Sequence, residues 1–273
     1  MKHNEKIVSF VTCRLKGPST LNSIHNFGLA NQMFQIATAS SYAVDNNLTA
    51  TFPELRKKKF GGYINNIFNK LSTKDIEEIE FEYFEPGFNF SNIPSFKNIR
   101  INGYFQSELY FIKNKKYITN LFAPSLEDIE YINRKYGWYL ENSISCHIRL
   151  GDYKFLESHH PNLLEQGYYQ KALNYFDYHK KNVLIFSDDI EHCKKLEQFN
   201  KPNFYFIENE PDYMDMYIMS MCQNNIIANS TFSWWGAWLN SNKNKTVVSP
   251  KNWFGKAKNY NTESLIPVDW IRI

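Results

Sequence analysis

The stretch NSISCHIRL, residues 142–150, decides the fold, because it has the pattern of a short apolar strand that ends in polar residues. Two later segments repeat this pattern, NVLIFS at 182–187 and NNIIAN at 224–229. A helical pattern follows each strand: GYYQKALNYFDYH (167–179), IEHCKKLEQF (190–199) and TFSWWGAWLN (231–240). Strands that alternate with helices predict an α/β fold with a parallel sheet and right-handed crossovers.

The N-terminal part of the chain contains half of a similar unit. KIVSFVTC, residues 6–13, is apolar and β-branched, which predicts a buried strand. The segment 28–47 follows a polar loop and carries apolar residues at helical spacing. Another strand is predicted within NIRINGYFQS, residues 98–107. We therefore predict two domains, 1–140 and 141–273.

Charge and cysteine content limit the class of protein. Lys and Arg number 31 against 28 Asp and Glu, an excess too small and too dispersed to indicate nucleic-acid binding. The densest basic run, residues 56–59, is typical of a solvated loop, with contact to an anionic surface as the alternative. No run of about 18 apolar residues occurs, so we expect no transmembrane segment.

Cysteine spacing predicts the compartment. The four cysteines are far apart and form no C-x-x-C pair: Cys13, Cys146, Cys193 and Cys222. The first residues lack a basic segment followed by an apolar stretch. We therefore expect a cytoplasmic protein, with peripheral association with a membrane left open.

Polar clusters follow the three strands of the C-terminal half. Ligands of open parallel sheets bind beyond the carboxyl ends of the strands, so we expect the clusters to meet at one crevice. The clusters are His147 to Asp152, Ser187 to Asp189 and Asn229 to Thr231. His147 and Arg149 are two residues apart in a strand and therefore share a face, while Ile144, Cys146 and Ile148 face the core.

Arg149 is the clearest indication of a ligand. A guanidinium stays charged and presents a planar fork of donors that matches phosphate oxygens. The alternative is a structural ion pair with Asp152 or another carboxylate. Ser230, Thr231 and Ser233 lie where a strand gives way to a helix, so their hydroxyls either cap the helix or help to hold a phosphate.

The remaining polar residues allow several roles. Asp188 and Asp189 are candidates for contact with a guanine edge or a ribose, for binding Mg²⁺, or for capping the next helix. The aromatic residues of segment 231–240 recur at helical spacing and are expected in the core. Neither G-x-G-x-x-G nor G-x-x-x-x-G-K-[ST] is present, which excludes a Rossmann dinucleotide fingerprint and a P-loop.

Five motifs together resemble the alpha-1,2-fucosyltransferases of glycosyltransferase family eleven, in the same order. They are GLANQMFQIA, HIRLGDY, FSDD, NSTFSWWGAWL and VVSPKNWF. The H-x-R-x-G-D element is also similar to one in alpha-1,6-fucosyltransferases and protein O-fucosyltransferases. The likeness spans most of the chain, although residues 52–140 carry little of it. Ala30 stands where the family usually has Gly, and Leu150 where it often has a second Arg.

The resemblance implies a GT-B architecture, two Rossmann-like domains with a donor-binding cleft between them. Residues 1–140 would form the acceptor side and residues 141–273 would bind GDP-fucose. The reaction would be an inverting, metal-independent transfer of L-fucose from GDP-β-L-fucose to the 2-hydroxyl of a galactose-like sugar in an oligosaccharide or glycoconjugate. No cofactor is implied, because GDP-fucose is a substrate.

The resemblance also implies roles for individual residues. Arg149 would hold the diphosphate, with the serine and threonine hydroxyls on its oxygens, while His147 and Asp188 would lie beside the nucleoside. The two amides of the N-terminal helix would reach the diphosphate or fucose from across the cleft. The donor-binding set is His147, Arg149, Asp188, Ser230, Thr231, Ser233, Asn31 and Gln32.

Direct inversion favours a base that takes the proton of the acceptor hydroxyl. Asp152 and Glu157 are the candidates for this base. Arg149 is the third predicted catalytic residue. Asp152 belongs to the motif, although it has alternative roles in bracing the turn or pairing with Arg149. Glu157 lies ten residues after His147, where alpha-1,6-fucosyltransferases resembling this motif place a base. We favour Asp152.

Two other functions fit the same residues. One is a transferase for another deoxyhexose, such as rhamnose, carried by GDP or a related nucleotide. The other belongs to a different class, a carbohydrate-binding module, which is suggested by the 17% aromatic content. Such a module has no need of an arginine site shaped for phosphate.

Overall fold

The computed structural model describes residue 7 and residues 9–15, 28–57, 61–151, 158–258 and 260–273. The chain divides into two compact units. The first unit comprises Met1–Ala123 and Asn261–Pro267, and the second comprises Pro124–Tyr260 and Val268–Ile273. All strand pairs recorded in the two sheets are parallel, so the predicted α/β class with parallel sheets is confirmed.

The first unit is built on a four-stranded sheet in the order β2-β1-β4-β3. Its strands are β1 (Phe10–Cys13), β2 (Thr49–Ala50), β3 (Phe81–Phe84) and β4 (Ile99–Asn102), and its helices are α1 (Leu29–Asn46) and α2 (Lys115–Leu121). The predicted strands at 6–13 and 98–107 are confirmed as β1 and β4, which are neighbours. The predicted helix at 28–47 is confirmed as α1, which ends where Asn47 adopts a left-handed conformation with φ 54°.

The second unit is built on a six-stranded sheet in the order β10-β9-β8-β5-β6-β7. Its strands are β5 (Ser143–Ile148), β6 (Asn182–Ser187), β7 (Phe204–Phe206), β8 (Asn224–Ile226), β9 (Val247–Ser249) and β10 (Ile271–Arg272). Its helices are α3 (Leu126–Leu140), α4 (Tyr168–Tyr175), α5 (Ile190–Lys194), α6 (Asp212–Met221) and α7 (Thr231–Leu239). The three predicted strands are confirmed as β5, β6 and β8.

The observed boundary between the units differs from the one predicted after residue 140. Helix α3 packs against α6 and the strands β5 and β6, so it belongs to the second unit. The segment 261–267 returns to the first unit, where Ser264 Oγ accepts a hydrogen bond from the Phe90 N–H at 3.0 Å and Ser264 O accepts one from Ser107 Oγ at 2.6 Å. A boundary drawn only from strand and helix patterns could not show this return.

The core of the second unit encloses β5 completely. Every residue of this strand is buried, as is typical of a central strand of a parallel sheet. The prediction that Ile144, Cys146 and Ile148 face the core is confirmed. His147 on the opposite face is only 4% exposed, because the first turn of α7 covers it.

Helix α7 buries its tryptophans, as predicted, on the face of the sheet opposite to Ile144, Cys146 and Ile148. Trp234, Trp235 and Trp238 are all buried, and their rings contact one another. At Gly236 an added Cβ would lie 2.9 Å from the Cβ of Met219, so the glycine permits α7 and α6 to approach closely. The four cysteines are buried and free of disulfides. Within the described ranges, no helix has the length and apolar character needed to cross a membrane.

Candidate active site

The sheet of the second unit brings the three predicted polar clusters together. Strand β5 lies between β6 and β8, and all three run in the same direction. The register pairs Ile148 with Ser187 and Cys146 with Ile226. The residues that follow these strands therefore emerge side by side at one edge of the sheet, which confirms the predicted convergence.

Arg149 and Asp188 form the centre of this edge. They are the next residues after the paired Ile148 and Ser187, so the register itself makes them neighbours. Arg149 Nη1 lies 3.1 Å from Asp188 Oδ2, and Asp188 Oδ1 accepts a hydrogen bond from the Leu150 N–H at 2.8 Å. The two charged side chains are 33% and 25% exposed, so both can be reached from solvent.

Gly151 is explained by the same contact. A Cβ at this position would overlap Asp188 Oδ2. The carboxylate thus lies directly against the backbone of the H-x-R-x-G turn, and a side chain at residue 151 would displace it.

The two acids after β6 have different structural roles. Asp189 caps α5, because its Oδ1 accepts a hydrogen bond from the His192 N–H at 3.1 Å. Asp188 instead contacts the turn after β5. The expectation that one acid acts as a helix cap is confirmed. No group of three or more His, Cys, Asp or Glu placed to hold a metal ion is found among the residues that the structure describes.

His147 is held by the start of α7. Its Nδ1 lies 2.9 Å from Ser233 Oγ, which also accepts a hydrogen bond from the Ala228 N–H at 3.2 Å. The Phe232 ring packs against the imidazole, with ring centroids 5.5 Å apart. Burial, and then the charge of Arg149, lower the pKa of His147 to about 3. The imidazole is therefore neutral at physiological pH and serves as a hydrogen-bonding group.

The other hydroxyls lie at the N-terminus of α7. Ser230 is its cap, with Oγ accepting a hydrogen bond from the Phe232 N–H at 3.4 Å. Thr231 is the first residue of the helix and is partly exposed. Unpaired backbone N–H groups and the helix dipole favour an anion at such a terminus. The Ser230 hydroxyl is thus engaged as the cap of α7.

Two of the five motifs contact each other through the residue before the Ser230 cap. Asn229, which precedes the Ser230 cap, is buried and donates from Nδ2 to the carbonyl oxygen of Trp253 at 3.2 Å. This contact ties the segment 224–240 to VVSPKNWF at 247–254. The sequence contained both motifs, but only the structure shows that they contact each other.

Asn31 and Gln32 occupy the first turn of α1 in the first unit. Asn31 Oδ1 accepts a hydrogen bond from Gln106 Nε2 at 2.9 Å, and Gln32 is only 1% exposed. Gln106 was missed by sequence reasoning, because nothing in its local pattern points to α1. The candidate bases Asp152 and Glu157 lie outside the described residues.

The comparisons with known proteins give the family. The model of glycosyl transferase family 11 matches residues 10–273. The chain therefore belongs to glycosyl transferase family 11, and its class is that of a glycosyltransferase. The resemblance drawn from the five motifs is confirmed.

Two relatives from Escherichia coli illustrate this membership. The chain is 30% identical to an alpha-1,2-colitosyltransferase over 97% of its own length and 99% of that protein. It is 42% identical to the O-antigen biosynthesis glycosyltransferase WbnK over 142 residues, which is 48% of this chain and 45% of WbnK. The second match therefore spans less than half of that relative.

Solved structures share the fold. The Bradyrhizobium fucosyltransferase NodZ matches with a TM-score of 0.53 at 14% identity, over 85% of this chain and 92% of NodZ. NodZ alpha-1,6-fucosyltransferase soaked with GDP-fucose matches with a TM-score of 0.54 at 13% identity, over 86% of this chain and 93% of that one. A variant of Arabidopsis thaliana FUT1 in complex with GDP matches with a TM-score of 0.50 at 11% identity, over 92% and 73%.

Proposed function

We propose that this glycosyltransferase moves L-fucose from GDP-β-L-fucose to the 2-hydroxyl of a galactose-like sugar in a glycan, with inversion. The observation that carries the proposal is the placement of Arg149 at the carboxyl edge of the sheet, two residues after His147, which contacts the start of α7 through Ser233. The 1,2-linkage is supported by the name of the colitosyltransferase relative, and the donor by the GDP-fucose and GDP in the NodZ and FUT1 structures.

The two units support a GT-B arrangement. Each is built on a parallel sheet, which is the layout of a Rossmann-like domain. In this proposal the second unit binds GDP-fucose and the first unit serves the acceptor side. Asn31 and Gln32 are the proposed donor contacts contributed by the first unit.

Charge development accounts for the proposed chemistry. When the bond between fucose and the β-phosphate breaks, negative charge grows on the departing GDP, and fixed donors stabilise it. Arg149 supplies a permanent positive charge, while Ser230 and Thr231 supply hydroxyls at a helix N-terminus. Neutral His147 and Ser233, which are hydrogen-bonded to each other, lie at the same edge of the sheet. Asp152, or Glu157 in its place, is the proposed base for the acceptor hydroxyl.

A second candidate donor is GDP-linked colitose. The name of the relative that matches over nearly its full length, an alpha-1,2-colitosyltransferase, supports this candidate. Colitose lacks one hydroxyl of fucose. A site built to hydrogen-bond a sugar hydroxyl rejects an analogue without it by about 10⁴-fold or more, whereas an apolar pocket discriminates far less. The ratio of transfer rates with the two donors therefore distinguishes these candidates.

The test is a transfer assay with GDP-fucose, GDP-colitose and GDP-rhamnose on a galactose-terminated oligosaccharide. We expect an α-linked fucosylated product, identified by NMR, and no product with the matched 2-deoxygalactose acceptor. Transfer from another donor with none from GDP-fucose would reject the fucose assignment. Failure of GDP to raise the thermal unfolding temperature would count against a GDP-linked donor.

The metal requirement is tested in the same assay. Because Arg149 supplies the positive charge at the diphosphate, we expect the rate in excess EDTA to remain within about twofold of the untreated rate. Loss of activity in EDTA that Mg²⁺ or Mn²⁺ restores would assign Asp188 to a metal instead of to Arg149.

A further inference from the structure

Asp188 uses both of its carboxylate oxygens within the candidate site. Oδ1 accepts from the Leu150 N–H at 2.8 Å, and Oδ2 lies 3.1 Å from Arg149 Nη1. The side chain of Asp188, directly after β6, therefore holds both the guanidinium of Arg149 and the backbone N–H of Leu150. The turn after β5 is fixed at two points.

The glycine of the motif maintains this arrangement. A Cβ at Gly151 would overlap Asp188 Oδ2, so only glycine allows the carboxylate to reach the turn at this depth. Residues 149, 150 and 151 thus each contact or accommodate one carboxylate. The carboxylate contacts one side chain and one backbone N–H, and Gly151 leaves room for it, which is more than a single surface ion pair would provide.

The negative charge of Asp188 also needs an explanation. A carboxylate near the diphosphate of a bound donor repels it, and like charges close together oppose binding. A role on the nucleoside would require both oxygens to face the N1–H and exocyclic amino group of guanine. In the observed arrangement Oδ1 and Oδ2 are instead directed at the Leu150 N–H and at Arg149.

We propose that Asp188 is a positioning residue that acts through Arg149. It orients the guanidinium toward the diphosphate and does not read the guanine base. This inference rests on the proposed function, since it presupposes a GDP-linked donor. In this proposal Asp188 of FSDD and Gly151 of HIRLGD have one shared role, which is to orient the side chain of Arg149.

The experiment measures binding of GDP and of inosine diphosphate to the full chain by calorimetry. Inosine diphosphate lacks the exocyclic amino group, so it reports on guanine reading. We expect Asp188→Asn to weaken both ligands by the same factor, about tenfold, because Asn keeps an acceptor for Leu150 but loses the charge facing Arg149. The preference for GDP over inosine diphosphate should not change.

A double-mutant cycle tests whether the effect passes through Arg149. In an Arg149→Gln background, we expect Asp188→Asn to add less than about a twofold further loss, because coupled residues are not additive. Gly151→Ala is an independent second variant and should weaken both nucleotides equally by displacing the carboxylate. Asp189→Asn is the matched control, since it removes the charge of the neighbouring acid, keeps an acceptor for the α5 cap, and should leave nucleotide affinity within about twofold.

The outcomes separate the two proposals. If wild-type protein binds neither nucleotide, the proposed function fails and the inference fails with it. If wild-type protein binds GDP but Asp188→Asn loses the preference for guanine, or its loss persists in the Arg149→Gln background, only the inference is overturned. Unchanged or tighter GDP binding by Asp188→Asn, with unaltered thermal unfolding, would also overturn it.

Discussion

In each of the two units an arginine pairs with an acid across two neighbouring parallel strands, within the strands in the first unit and directly beyond their ends in the second. In the first unit Arg100 Nη1 lies 2.9 Å from Glu82 Oε1, and in the second unit Arg149 Nη1 lies 3.1 Å from Asp188 Oδ2. The side chains are similarly exposed, 27% and 35% in the first pair and 33% and 25% in the second. By distance and exposure alone, the two pairs cannot be told apart.

Their positions in the sheets differ. Arg100 and Glu82 are register partners within β4 and β3, where the backbone takes part in the strand ladder. Arg149 and Asp188 follow the last register pair of their strands, so the Leu150 N–H is available to the carboxylate. An ion pair therefore indicates a site when it lies beyond the strand ends with further donors around it, and not simply because it is an ion pair.

The largest effect should come from replacing each arginine by lysine. Arg149→Lys keeps the charge but loses the planar fork, so we expect fucosyl transfer to fall about 10²–10³-fold. Arg100→Lys is the matched control, and its transfer rate should stay within about twofold. The free energy of unfolding of both variants should change by less than about 1 kcal/mol, because both pairs are partly exposed. Equal losses of activity in the two variants would remove the distinction drawn from strand position.

The second prediction concerns the contribution of His147, two residues before Arg149, to the pH dependence of the free energy of unfolding. The pKa of His147 is lowered to about 3, whereas an unfolded histidine has a pKa of about 6.5. Between these values the unfolded state binds the additional proton, so His147 makes the free energy of unfolding fall as pH decreases from 6.5 toward 3. At pH 4 the loss from this residue should be about 3 kcal/mol.

Comparison of variants isolates that contribution. Asp215 has the opposite effect on the pH dependence of stability. Burial, and then the charges of Glu210 and Asp212, raise the pKa of Asp215 to about 8. Its contribution to the free energy of unfolding is therefore lost as pH rises from 4 to 8. The slope for wild type should therefore be compared with His147→Gln, and with His179→Gln as an exposed control. Chemical denaturation at several pH values gives each slope. An unchanged slope in His147→Gln would show that the buried imidazole does not titrate as described.

Much of the second unit was predictable from sequence, for a physical reason. Buried parallel strands are apolar throughout, and their ligand residues follow directly, so β5, β6 and β8 and their polar ends can be identified locally. The tryptophans of α7 were predictable as core from their helical spacing. The cap role of Asp189 was an explicit alternative that the structure selected.

Contacts between distant segments were not predictable in this way. The approach of Asp188 to Gly151 depends on strand register, and the return of Ser264 to the first unit depends on its contacts with Phe90 and Ser107. The bond from Gln106 to Asn31 joins residues 75 positions apart. No short-range periodicity carries this information, because each contact is fixed only when the chain has folded.

The smallest effect should come from the two serine caps. Ser230 caps α7 at the candidate site with a 3.4 Å hydrogen bond, and Ser125 caps α3 with a 3.0 Å bond to the Asp128 N–H. Removing either hydroxyl should cost up to about 1 kcal/mol of unfolding free energy, with Ser125→Ala losing more because its bond is shorter and reciprocated by Asp128.

Only Ser230→Ala should slow fucosyl transfer, by about tenfold, since a hydroxyl at this helix start also contacts the diphosphate in the proposed reaction. Transfer rates and denaturation curves of the two variants, measured side by side, decide the matter. If Ser230→Ala transfers fucose at the wild-type rate, the hydroxyl acts only as a cap, and the anion at α7 would depend on its backbone N–H groups.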